Sequence, residues 1–63
     1  MTFRYLLVDE YWTHVGWFES ETPDWSVGQE VGLTDGRRFA ITGIVPNPDP
    51  NADYTATWNV EPA

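Results

Sequence analysis

Sixty-three residues make one domain, and a chain so short hides only about 60% of the surface its unfolded form exposes, so its core must be dense. Ten acidic residues against three arginines and no lysine leave a net charge of -7, which repels phosphate backbones and argues against nucleic acid as a partner. The chain has no cysteine, which excludes disulfide staples and thiolate zinc clusters. Four Trp, three Tyr and three Phe must supply the burial instead.

No apolar run approaches the roughly 18 residues of a membrane span, and Met1 leads straight into a strand pattern without a basic, apolar leader. The expectation is a soluble, cytoplasmic chain. From Thr2 to Val8 the residues alternate, with Phe3, Tyr5 and Leu7 on one side and Thr2, Arg4, Leu6 and Val8 on the other. Because Leu6 and Val8 are also apolar, the second face needs cover from a neighbouring element or a partner. A second strand, Val15 to Glu19, completes a first hairpin whose tip carries Tyr11, Trp12 and His14 and contains no glycine. Hairpin tips favour Gly, Asn and Asp for their backbone freedom, so turn chemistry does not explain these residues.

The stretch Ser20 to Ser26 has the composition of a closing turn, and Trp25 within it is expected to fold down as a plug on the open end of the sheet. Val27 to Val45 is then a second hairpin around Asp35-Gly36. A two-residue loop there would send the apolar residues of the two arms to different faces. A three-residue loop, Thr34-Asp35-Gly36 with Gly36 left-handed, sets Leu33 opposite Arg37, Val31 opposite Phe39 and Gln29 opposite Ile41. Val31, Leu33, Phe39 and Ile41 then share one face, and Gly32, Arg38, Ala40 and Thr42 the other. Gly43 breaks the alternation and predicts a bulge or a sharp bend where the fourth strand passes from one layer to another.

Pro46 to Asp53 holds three prolines and is expected to be a stiff exposed loop. A last strand from Tyr54 to Glu61 places Tyr54, Ala56, Trp58 and Val60 inward and Thr55, Thr57, Asn59 and Glu61 outward. Five short strands with no helical period predict an all-β domain spanning residues 1–63, a small five-stranded SH3-like barrel. An OB-type barrel suits less well, because no helix-forming stretch lies between the third and fourth strands.

Three groups invite a chemical reading. His14 is the sole histidine, and no motif joins it to Ser20 or Ser26 as a nucleophile, so catalysis is not expected. Asp49, Asn51 and Asp53 have the spacing that begins a calcium loop, but Tyr54 stands where glycine is needed and Val60 where the bidentate glutamate is needed. Neither a metal nor a cofactor is expected. Arg37 and Arg38, with Arg4, are expected to pair with nearby carboxylates rather than to hold phosphate.

The segments GWFES, PDWSVGQEV and DGRRFAITGIVP, with the closing Trp58, Val60, Glu61 and Pro62, resemble short uncharacterised bacterial proteins of actinobacterial type that look like small β-barrels. The resemblance covers most of the chain and implies a fold, with no activity attached. Two departures from that pattern stand out: Tyr11-Trp12-Thr13-His14 in place of a short Asp/Gly turn, and Ala40 in place of a charged residue. Replaced surface positions on an intact framework are what selection for a protein target produces, in nature or in the laboratory.

The functional expectation is therefore a non-enzymatic protein-binding module. Its contact loop is Tyr11, Trp12, Thr13 and His14, with Arg38, Ala40, Thr42, Thr57 and Asn59 as a flat extension. Trp and Tyr anchor interfaces because they offer large amphipathic area at low entropic cost. The competing role for Tyr11 and Trp12 is to fold back over Leu6, Val8 or the barrel mouth. The alternative function is a small bacterial structural or accessory protein that self-associates through the second face of its first strand, with no dedicated ligand site; the expected state of the domain is a monomer or weak homodimer.

Overall fold

The computed structural model describes residues 2–49 and 51–63 and contains five strands and, among those residues, no helix. They are β1 (Phe3–Val8), β2 (His14–Ser20), β3 (Glu30–Gly32), β4 (Arg38–Pro46) and β5 (Ala56–Pro62). Together they make one sheet in the order β2-β1-β5-β4-β3. The sheet curls into a half-barrel, as the small all-β barrel expectation requires. All neighbours are antiparallel except β1 and β5, which run parallel from Tyr5↔Ala56 to Val8↔Asn59.

The second hairpin has the register that its apolar pattern demands. Val31 faces Phe39 and Gly32 faces Arg38, while Gly36 N–H donates to Leu33 O at 3.0 Å and Leu33 N–H to Arg37 O at 2.8 Å. Gly36 sits at φ 91°, the left-handed conformation in which a side chain crowds the backbone. A Cβ built there would meet nothing within 4 Å, so Gly36→Ala carries a purely conformational cost. We expect it to remove about 1–2 kcal/mol in urea unfolding; a loss below a few tenths would mean that the turn relaxes instead. Asp35 caps the same turn, and the Arg37 N–H it accepts holds its carboxyl below the ordinary carboxylate range.

Several strand bounds differ from the sequence reading: β1 starts at Phe3 rather than Thr2, β2 runs from His14 to Ser20 rather than Val15 to Glu19, and β5 ends at Pro62 rather than Glu61. The first arm begins at Glu30 rather than Val27, which is 60% exposed, because the chain turns at Gly28 (φ 99°) to reach β4. The last strand begins at Ala56 rather than Tyr54. Backbone pairing ends at Thr55, which donates to Arg4 O at 2.7 Å and accepts the Asn47 N–H at 3.1 Å, and Tyr54 before it lies edge-on to Trp17 at 5.7 Å instead of joining the core. Pro46, expected in the loop, ends β4 opposite Ala56, a place at the end of a ladder that proline tolerates. The bulge expected at Gly43 is present as a shift in the β4–β5 register between Ile41 and Gly43.

The concave face of the sheet buries Tyr5, Leu7, Val31, Phe39, Ile41, Ala56, Trp58 and Val60. Trp58 is the hub: Tyr5 stacks on it at 4.1 Å, and Trp25 and Phe18 lie at 5.5 and 5.7 Å. Trp25, on the link from β2 to β3, packs on this cluster as the plug and donates its indole N–H to Thr22 O at 3.1 Å. β2 and β3 are the open edges. The turn of the second hairpin, not β3 itself, reaches β2: Arg37 Nη2 donates to Val15 O at 3.4 Å, and a Cβ on Gly16 would lie 3.3 Å from Leu33 Cδ1, close enough that the leucine would have to shift.

Tyr5 is 3% exposed, and its hydroxyl has no hydrogen-bond partner among the described residues. Burial, and secondarily the charge of Asp24, push its pKa above the ordinary value of 10.0. A raised folded-state pKa means full stabilisation below the unfolded value and its loss as pH rises through the folded one. The domain should therefore weaken in alkali beyond about pH 10, and Tyr5→Phe should flatten that limb of the stability profile. An unchanged alkaline slope in Tyr5→Phe would place the effect elsewhere.

Candidate functional site

The residues linking β1 to β2 form a turn with the same backbone geometry as the second hairpin. Trp12 N–H donates to Asp9 O at 3.0 Å and Asp9 N–H to Thr13 O at 3.0 Å. Asp9 thus corresponds to Leu33, Thr13 to Arg37, and Trp12 to Gly36. Trp12 takes the left-handed conformation, φ 62°, and is the only non-glycine described residue to do so.

Asp9 makes this possible. Its Oδ1 accepts the Tyr11 N–H at 2.8 Å and the Thr13 N–H at 3.0 Å, a side-chain clasp that replaces the freedom a glycine would bring. Asn59 steadies the root of the loop: its Nδ2 donates to Asp9 O at 3.5 Å, and its own carbonyl accepts the Thr42 hydroxyl at 3.0 Å. A bulky residue in the left-handed region costs on the order of 1–3 kcal/mol and persists where the surroundings over-determine it, commonly at functional sites.

What this strained turn displays is apolar. Tyr11 is 79% and Trp12 61% exposed, so neither folds back to cover Leu6, Val8 or the barrel mouth. Val8 itself is buried. Thr13 is exposed at the base of the turn, and His14 opens β2 with its ring edge-on to Trp17 at 5.5 Å.

The remaining sequence-derived positions fall into two groups. Thr42 and Asn59 belong with the tip through the contacts just given. Ala40 lies on the same end of the sheet, in register between Glu30 and Glu61, and Arg38 beyond it reaches Glu30 at 3.4 Å. Thr57 is set apart, half-buried between Leu6 on β1 and Val45 on β4. The flat extension is therefore two patches rather than one.

Several residues at the tip were not legible in the chain. Parallel pairing carries β1 and β5 toward the same end of the sheet, so Asp9 and Glu10 meet Glu61 and Pro62 around a cleft of about 410 Å³ that also includes Thr42 and Val60. A second aromatic group occupies the convex face, where the Arg4 guanidinium lies 4.4 Å from the Trp17 ring centroid and Arg4 Nε 3.9 Å from Glu19. Asp49 uses its carboxylate locally, accepting the Asn51 N–H at 2.9 Å. Among the described residues no group of three His, Asp or Glu is placed to hold a metal. His14 and Ser20 stand at opposite ends of β2, roughly 20 Å apart at strand rise, and Ser26 is engaged with Gln29 at 2.7 Å through its N–H.

The fold and site together define a small all-β half-barrel that presents a strained aromatic hairpin tip. The chain matches no family model, no curated protein and no solved structure.

Proposed function

We propose that this domain is a non-enzymatic protein-binding module whose anchors are Tyr11 and Trp12, with Thr13 and His14 beside them and Thr42 and Asn59 supporting the loop. The observation that carries the reading is Trp12 itself: a large apolar side chain, mostly exposed, in a turn position whose twin in the same molecule is a glycine. Strain and exposure both act against stability, and a contact made outside the chain gives both a reason. An SH3-like likeness, kinship with the small bacterial barrels and a cytoplasmic setting belong to the same proposal, supported by the bent five-strand sheet and the cysteine-free chain.

The test is selection of binders to the immobilised domain from a displayed peptide library, with each recovered clone measured again on Tyr11→Ala, Trp12→Gly and, as a control at the opposite end, Asp53→Ala. Clones that weaken by tenfold or more on the two tip variants and not on the control support the module, because buried aromatic anchors dominate interfaces. Clones indifferent to the tip overturn it.

A second reading, self-association, has its own observation. Trp17 (39% exposed), Leu6, Thr57 and Val45 (45% exposed) form one apolar row across the convex face. Sedimentation over a range of concentrations tests it, and a persistent monomer rejects it.

A further inference from the structure

We infer that the protein segment seated on the Tyr11–Trp12 tip bears arginine, its guanidinium groups entering the cleft between the root of the tip and the end of β5. This rests on the binding reading above and adds the chemistry of the partner. The exposed aromatic side chains mark the surface, and charge complementarity selects what fits it. Three carboxylates, Asp9, Glu10 and Glu61, line the cleft beside the tip. Glu10 and Glu61 are exposed and have no cation facing them among the described residues. Each of the three arginines is held elsewhere: Arg4 near Glu19, Arg37 on Asp35 at 2.6 Å and Arg38 on Glu30.

The gathering of these acids is a product of topology. Val8 lies beside Asn59 at the end of the parallel ladder, so the turn that follows β1 and the last residues of β5 emerge side by side, and Glu10 and Glu61 line one cleft with no cation paired to either among the described residues. Such a cleft concentrates cations. Beside two exposed aromatic rings it favours arginine over a bare ammonium, because a guanidinium can stack on a ring while its N–H groups fork onto a carboxylate. The same chemistry already exists in this molecule, where Arg4 lies over Trp17 with Glu19 beside it. A second copy of the chain fits poorly, since each copy carries a net charge of -7 and its arginines are already engaged.

The experiment titrates the labelled domain with a short capped peptide of alternating glycine and arginine and with its glutamate counterpart, following the Trp12 indole N–H and the Glu10 and Glu61 amides by NMR. The arginine peptide should shift these signals, and the glutamate peptide should leave them in place. Glu10→Gln with Glu61→Gln should weaken the arginine peptide roughly three- to thirtyfold, and Trp12→Gly should weaken it as well. No response to the arginine peptide, or an equal response to the glutamate peptide, overturns the inference. Binding lost in Trp12→Gly but untouched in the double glutamine variant overturns the cationic partner and leaves the tip as the site. Indifference to both variants overturns the two together.

Discussion

Trp58→Ala is expected to unfold most of the population at room temperature. Trp58 is 1% exposed and contacts Tyr5, Phe18 and Trp25, so its removal empties the meeting point of β1, β2, β5 and the plug. Truncating a buried Trp costs about 3–5 kcal/mol. A single core in a chain shorter than about 70 residues rarely supplies more than about 3–5 kcal/mol. The loss consumes most or all of that margin, because truncation leaves Tyr5, Phe18 and Trp25 without the ring they share. Near-UV circular dichroism and urea unfolding read the outcome. A cooperative transition that keeps nearly the parental midpoint would show that the core is not centred on this residue.

Trp12→Gly is expected to act in opposite directions on stability and on binding. Relief of the left-handed strain returns about 1–2 kcal/mol, and the greater freedom of glycine in the unfolded chain takes back about 0.4–1 kcal/mol. The balance is a gain of about 0–1.6 kcal/mol, a rise of up to several degrees in Tm for a domain of this size. Little packing is forfeited, because the side chain is 61% exposed. Binding through the tip should meanwhile fall by tenfold or more, as for an interface anchor. Only a residue retained for contact outside the chain combines the two signs. A lower Tm in Trp12→Gly would make the indole a structural cover and remove the main support for the tip as a site. Gly36→Ala is the mirror of this experiment, since the two residues occupy equivalent turn positions and the substitutions run in opposite senses.

The second hairpin was legible because two local signals agree there. Asp35-Gly36 restricts the turn, and the alternation of Val31, Leu33, Phe39 and Ile41 admits only one register that shares a face. The tip was legible as an anomaly, a glycine-free turn with aromatic residues, but its physical form was not. That Trp12 would adopt the left-handed conformation depends on Asp9 Oδ1 clasping two backbone N–H groups, a geometry that residue preferences do not announce. Tyr54 shows the limit of alternation: the pattern holds only where backbone pairing enforces it, and that pairing stops at Thr55.

What the sequence determined by itself was the all-β class, the hairpins, the turn at Gly36 and the aromatic core. All of these follow from period-two patterning and turn chemistry between residues close along the chain. What only the tertiary structure decided was the parallel pairing of β1 with β5, and with it the acidic cleft, the Asn59 support for the tip and the meeting of Glu10 with Glu61. Pairing of strands about fifty residues apart is set by how the whole sheet closes over its core, and no local pattern carries that information.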